Sequence, residues 1–218
     1  MADTVRFYFD PRCPWCYQTS RWVRRLEELG ELTVTWAVFS LAIANQGDEG
    51  RAASTRDGAP ALRTAIALRD ADGNAAVGRF YAALGAAIHE RGENADDNAV
   101  IDAALLEAGA DSSLRERALN DPATWTEVQR EHDDVVRTHD AFGVPTIVLD
   151  AGTGPAIFGP VIIEVPGDNE AVELWRHVSW LVRNRNFAEL KRERSRLPDL
   201  ESIRRSLRRK AERQGKAA

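Results

Sequence analysis

The two cysteines of the chain stand three positions apart, as Cys13-Pro14-Trp15-Cys16, and their surroundings narrow the fold more than any other feature. Two cysteines scattered over 218 residues would fall at this spacing roughly one time in a hundred. Thr4 to Phe9 alternate and are rich in aromatics, which predicts a strand, and Asp10-Pro11 breaks it just before the pair. After Pro14 the apolar positions Tyr17, Trp22, Val23, Leu26 and Leu29 fit one helical face, with Gly30 as a stop signal. Leu32 to Leu41 then reads as a second strand. Strand, helix and strand in this order form a βαβ unit, with parallel pairing and a right-handed crossover.

From about Arg56 to His139 the composition shifts to Ala, Leu, Arg and Glu, with helical stretches near 60–70, 76–91, 96–108, 112–119 and 124–140. Strand character returns at Thr146 to Asp150, then a Gly-rich turn and Ala156-Ile157-Phe158 complete a hairpin, and Asn169 to Val182 is an amphipathic helix. The whole order, βαβ then ββα, resembles an α/β thioredoxin-like fold with an inserted helical subdomain. The expected division is 1–55 and 141–186 for the core, 56–140 for the helical insertion, and 187–218 for a basic C-terminal extension. In that extension Leu190, Leu197, Leu200, Ile203 and Leu207 are candidate anchors for a helix with frayed ends.

A C-x-x-C pair that follows a strand and opens a helix is placed for redox chemistry. The helix start offers free N–H groups and a partial positive charge, which predict a low-pKa thiolate at Cys13. Pro14 suits the first turn, where its missing N–H costs nothing. Cys16, one turn on, can attack a mixed disulfide formed at Cys13. Cys13 is therefore the expected attacking thiol and Cys16 the resolving one. Trp15 brings no charge to Cys13, which favours a reducing or intermediate poise, and it is expected to line a substrate surface. In thioredoxin-like sites a cis-proline faces the C-x-x-C before the third strand. Gly143-Val144-Pro145-Thr146 occupies that place, so Pro145 is expected to be cis, with the Val144 backbone free to pair with an extended substrate. No metal is expected: there is no second cysteine pair, and His89, His132, His139 and His177 lack ligand spacing.

Charge is unevenly spread, a net −13 over residues 1–182 and +8 over 183–218 within an overall −5. The basic extension is expected to fold onto the acidic body or a second subunit, a possible homodimer. Its lack of interleaved aromatics after Phe187 argues against nucleic acid. No apolar run is long enough to span a membrane, and the first ten residues have no apolar signal-peptide core, which points to a cytoplasmic location.

Phe9-Asp10-Pro11 through Cys16, Thr19-Ser20-Arg21-Trp22, Ser40-Leu41-Ala42 with Asn45, Ile88-His89 with Gly92, Pro145-Thr146-Ile147 and Phe158-Gly159-Pro160 together resemble the actinobacterial mycothiol-dependent nitroreductase group of the DsbA-like thioredoxin superfamily. The resemblance spans roughly residues 5–192. It implies an enzyme with no tightly bound cofactor that takes electrons from mycothiol, or another low-molecular-weight thiol, to reduce a small-molecule or disulfide substrate. By position it adds Asn45 and His89 to a substrate surface with Pro14, Trp15, Val144 and Pro145. Tyr17 stands where the group often has Trp, and Gly47 to Gly58 carry no aromatic. Two other readings remain open: a kappa-class glutathione transferase or 2-hydroxychromene-2-carboxylate isomerase, using Thr19 or Ser20 to activate a bound thiol, and a non-catalytic binding module acting through the basic tail.

Overall fold

The computed structural model describes residues 2–49, 51 and 59–215. The expected domain boundary near residue 56 and most of the aromatic-free stretch 47–58 lie outside the described residues. Strand β1 (Asp3–Phe9) is central: β2 (Leu32–Val38) pairs parallel to it, from Asp3 opposite Leu32 to Phe9 opposite Val38. On its other side β3 (Thr146–Leu149) runs antiparallel with Phe7 opposite Ile147, and β4 (Ala156–Phe158) pairs antiparallel with β3. The sheet order β2-β1-β3-β4 buries β1 from both sides, so Val5, Phe7 and Phe9 are wholly enclosed. This is the thioredoxin-like arrangement. Helix α1 (Pro14–Glu28) makes the crossover, and α8 (Asp168–Arg183) packs beside it through an edge-on contact of Trp22 with Trp175. The Trp22 indole N–H, dry inside that contact, donates to the Ala171 carbonyl at 3.1 Å.

Strand β2 ends at Val38, three residues before the sequence suggests. Ser40 Oγ accepts the Ile43 N–H and caps α2 (Leu41–Gln46), while the Leu41 N–H is taken by the Asp10 carboxylate at 2.9 Å. The outer edge of β2 would expose unpaired backbone groups. Side chains satisfy them: Asn74 bonds both the N–H and C=O of Trp36 at 2.8 Å, and Glu131 accepts the Val38 N–H at 2.9 Å. These two residues belong to α4 (Asn74–His89) and α7 (Pro122–His139), so the helical layer is pinned to the sheet edge.

Between them lie α5 (Asn98–Glu107) and α6 (Leu114–Asn120), with α3 (Pro60–Asp72) before α4. The buried Arg63 of α3 donates to the carbonyls of Ala118, Leu119 and Asp121, which closes the C-terminus of α6.

After α8 the chain runs without regular structure to α9 (Glu201–Gly215). Of the expected anchors only Leu200 is enclosed; Leu190, Leu197 and Leu207 face solvent. Polar contacts hold the extension instead, Arg196 with Glu164 at 2.8 Å and Arg205 with the Gly92 carbonyl. No helix among the described residues is long and apolar enough to cross a membrane.

Candidate active site

Asp10, where β1 ends, organises the loop that carries the cysteines. Its carboxyl accepts the N–H groups of Arg12 and Leu41, both at 2.9 Å, and its carbonyl accepts the Cys13 N–H at 3.0 Å. Cys13 is thereby set as the N-cap of α1, with Pro14 in the first turn as predicted. The Cys13 sulfur accepts the Cys16 N–H at 3.3 Å and points its own S–H at the Val144 carbonyl, 3.6 Å away. Cys16 lies one turn deeper, fully enclosed, its thiol directed at the Tyr8 carbonyl at 3.7 Å. Both cysteines are free thiols.

The electrostatics correct one expectation. Burial pushes the Cys13 thiol above its ordinary value, the N–H groups of Cys16 and Trp15 pull it down, and the Asp10 carboxyl adds to the upward push. In the resting dithiol, desolvation outweighs the helix start, and Cys13 is not the low-pKa thiolate that its position in sequence predicts. Cys16 is raised further still, first by burial and then by the charge of Cys13. Asp10 itself is raised by burial, against the two N–H groups it accepts.

One group that lowers the Cys13 thiol carries no signal in the sequence. Arg194, in the irregular stretch before α9, lays its guanidinium 4.7 Å from the centre of the Trp15 ring, and its charge favours the thiolate. Trp15 brings no charge of its own, but it seats one. No local pattern marks Arg194 among the many arginines of the tail; only the chain's return across the site distinguishes it.

The Val144-Pro145 bond is cis, as expected, and Val144 is buried with its carbonyl toward Cys13. The Pro145 carbonyl accepts the Gly159 N–H at 2.8 Å, and the next bond, Gly159-Pro160, is also cis. Pro14 and Trp15 are half-buried beside Cys13, and Asn45 is exposed on α2. His89 sits elsewhere than on an open substrate surface. It is 1% exposed, stacked on Tyr17, and both ring nitrogens are engaged: one faces the Pro11 carbonyl at 2.8 Å, the other Ser202 Oγ of α9 at 2.9 Å. A carbonyl can only accept, so Nε2 carries the proton and Nδ1 accepts from Ser202. Burial drives its pKa down to about 4, so the ring is neutral, a brace between the motif loop and α9.

Thr19 and Ser20, the hydroxyls an isomerase or kappa-class reading would use, are buried and already donate to the carbonyls of Pro160 and Tyr17 at 2.9 and 2.7 Å.

A thioredoxin-like sheet with an N-capping cysteine, a second thiol one turn below and the carbonyl before a cis-proline opposite defines the class: a thioredoxin-fold thiol oxidoreductase. The fold is shared with the cytosolic disulfide reductase DsbM from Pseudomonas aeruginosa, at a TM-score of 0.59 and 16% identity, covering 82% of this chain and 99% of that one. It is shared equally with a 2-hydroxychromene-2-carboxylate isomerase, at a TM-score of 0.59 and 18% identity, covering 83% and 96%. The chain belongs to the Rv2466c-like family, described as mycothiol-dependent nitroreductase Rv2466c, whose model matches residues 12–192. It is also 35% identical over 215 residues to Rv2286c of Mycobacterium tuberculosis (strain ATCC 25618 / H37Rv), described only as uncharacterized, covering 94% of this chain and 88% of that one. Arg194 and α9 lie beyond the span of the family match.

Proposed function

We propose that the protein is a cytoplasmic two-thiol reductase that takes its electrons from mycothiol and passes them to a disulfide or nitro-compound substrate. The observation that carries this reading is the stacked placement of the thiols: Cys13 at the surface of the site facing the Val144 carbonyl, Cys16 enclosed beneath it.

With a disulfide, the Cys13 thiolate attacks one sulfur, forms a Cys13 mixed disulfide and expels the other half as a thiolate, which takes up a proton. Cys16 then attacks the Cys13 sulfur, and the second half departs as a thiol. The product is the Cys13-Cys16 disulfide, and two molecules of mycothiol reduce it while forming one mycothiol disulfide. The Val144 backbone, with Pro14, Trp15 and Pro145 around it, is the docking edge for an extended substrate. Asn45 on α2 lies within the same loop system tied together by Asp10. His89 acts in this scheme from behind, through Pro11, and holds the motif loop.

The family's description supports mycothiol as donor. The fold match with an isomerase carries less weight, because Thr19 and Ser20 are occupied and a second thiol is present. The contacts of Arg194, Arg196 and Arg205 support a tail that serves its own chain rather than nucleic acid.

A coupled assay with mycothiol, glutathione or thioredoxin as alternative donors tests the reading. Turnover is expected with mycothiol and should be lost in Cys13→Ser. Turnover with thioredoxin alone would overturn the donor assignment, and activity that survives Cys13→Ser would overturn the mechanism.

A further inference from the structure

Buried polar atoms without a hydrogen-bond partner are rare in folded proteins and call for an explanation. Among the described residues two of them sit together under the motif, the Tyr81 hydroxyl and Arg24 Nη2. Tyr81 is wholly enclosed and stacks on Phe9 with ring centres 4.1 Å apart. Phenylalanine would fill that space equally well, so packing does not account for the hydroxyl. Arg24 of α1 donates one guanidinium nitrogen to the Gly78 carbonyl at 2.8 Å and lies over the rings of Trp36 and Tyr81, at 4.1 and 5.4 Å. A cation and a spare O–H donor thus stand at the same ring.

The third member of this group is Cys16. The Tyr81 hydroxyl has no partner meeting hydrogen-bond geometry, yet it favours the Cys16 thiolate, while burial first and the Cys16 charge second keep the Tyr81 hydroxyl protonated. Burial lowers the Arg24 pKa, and the charges of Tyr81, Tyr17, Glu27 and, least, Cys16 oppose that shift. The other ionisable groups felt by Cys16 are Cys13 and Asp10, and both oppose its ionisation. A resolving cysteine must form a thiolate inside the core, where an unaided charge is costly. A donor with no acceptor at rest is what such a step requires if it is to be stabilised without reorganisation.

Resting on the two-thiol reading above, we propose that Tyr81 is a catalytic residue of the resolving step, donating its hydroxyl hydrogen bond to the Cys16 thiolate as that charge forms, with Arg24 the half-buried countercharge behind the ring. Cys16 loses its proton and attacks the Cys13 sulfur of the mixed disulfide. The Cys13-Cys16 bond forms, the bond from Cys13 to the substrate sulfur breaks, and the departing thiolate leaves with the electron pair and takes up a proton. Tyr81 keeps its own proton throughout.

Stopped-flow reaction of the full chain with 5,5′-dithiobis(2-nitrobenzoate) separates the two attacks, because Cys13 releases one equivalent of the coloured thiolate and Cys16 the second. In Tyr81→Phe the first phase is expected to be unchanged and the second slower by about ten- to a hundredfold at neutral pH, the usual effect of one hydrogen bond to a charged group. The pH at which the second phase is half-maximal should move upward, and the thermal unfolding midpoint should not fall, since the hydroxyl had no partner. Arg24→Gln should move the same pH midpoint in the same direction; an unmoved midpoint would overturn the role of Arg24. A Tyr81→Phe protein with an unaltered second phase, or with both phases slowed alike, would overturn the role of Tyr81. A wild-type trace with one equivalent only would instead overturn the two-thiol reading itself, and this inference with it.

Discussion

Cys13 Sγ stands 3.6 Å from the carbonyl oxygen of Val144, so the attacking atom and the edge that would align a substrate meet at one point. Cys16, behind it, reaches the same sulfur through its backbone N–H at 3.3 Å and is closed to solvent. This geometry assigns unequal roles to the thiols. Cys13→Ser is expected to abolish turnover, whereas Cys16→Ser should still permit the first attack and accumulate a mixed disulfide. Intact-mass spectrometry after incubation with oxidised mycothiol reads the difference directly. An adduct on Cys13→Ser, with none on Cys16→Ser, would reverse the assignment; partial turnover in Cys16→Ser would point to a one-thiol cycle.

Arg194 offers a second test, because its charge reaches Cys13 from outside the span of the family match. A cation near a thiol favours the thiolate, so its removal should shift the Cys13 ionisation upward. The group is solvent-exposed, which limits the effect: alkylation of Cys13 by iodoacetamide at neutral pH is expected to slow roughly threefold in Arg194→Gln, equivalent to about half a pH unit. Arg194→Lys should restore most of the rate, and added salt should narrow the gap. Identical pH profiles for wild type and Arg194→Gln would remove Arg194 from the site.

Much of the site was legible because its signals are local. Alternation marks β1, Pro14 marks the first turn of α1, and the spacing of Cys13 and Cys16 is itself the motif. Pro145 was legible because it immediately precedes β3. Arg194, Tyr81 and Arg24 act across the fold and leave no local trace: Tyr81 follows Phe80 within an apolar helix and reads as an ordinary core aromatic. The Cys13 ionisation differs from the sequence expectation for a related reason. The helix start that favours a thiolate is visible in sequence, but the burial that opposes it is a property of the packed site. The resemblance puts His89 on a surface, whereas Tyr17, Pro11 and Ser202 of α9, all distant in sequence, pack and bond around its ring.

That enclosure has a consequence for stability at acid pH. Burial lowers the His89 pKa from 6.5 to about 4, so between these values an unfolded chain takes up a proton at His89 that the folded chain refuses. Stability contributed by the neutral ring is complete above about pH 6.5, declines as the pH falls through that window, and levels off below 4. The full loss would be roughly 2–4 kcal/mol. His132 is also lowered by burial and adds to the decline, so the test is a comparison. Chemical denaturation of wild type and His89→Gln across pH 4 to 7 should give a flatter dependence in the variant; parallel curves would contradict a neutral, buried His89.

The tightest approach behind the motif is between Gly85 of α4 and the Tyr17 ring of α1, and it yields the last prediction. A Cβ built on Gly85 would lie 2.3 Å from Tyr17 Cδ2 and 2.5 Å from Cε2, well inside contact distance. Tyr17 has little freedom to retreat. Its hydroxyl donates to Glu90 at 2.7 Å and its face stacks on His89, which in turn holds the Pro11 carbonyl two residues before Cys13. Glycine is needed here for its lack of a side chain, because its backbone is ordinary helix. Gly85→Ala gains helix propensity but forces the two helices apart, and overpacking of this kind costs about 1–3 kcal/mol. The expected outcome is a fall of roughly 3–10 °C in unfolding midpoint for a chain of this size. The strain should pass through Tyr17 and His89 to the loop and slow alkylation of Cys13 as well. Tyr17→Leu in the same background should recover part of the lost stability, read as a coupling energy in a double-mutant cycle. Additive losses in that cycle would show that the Gly85 contact and the motif loop are independent.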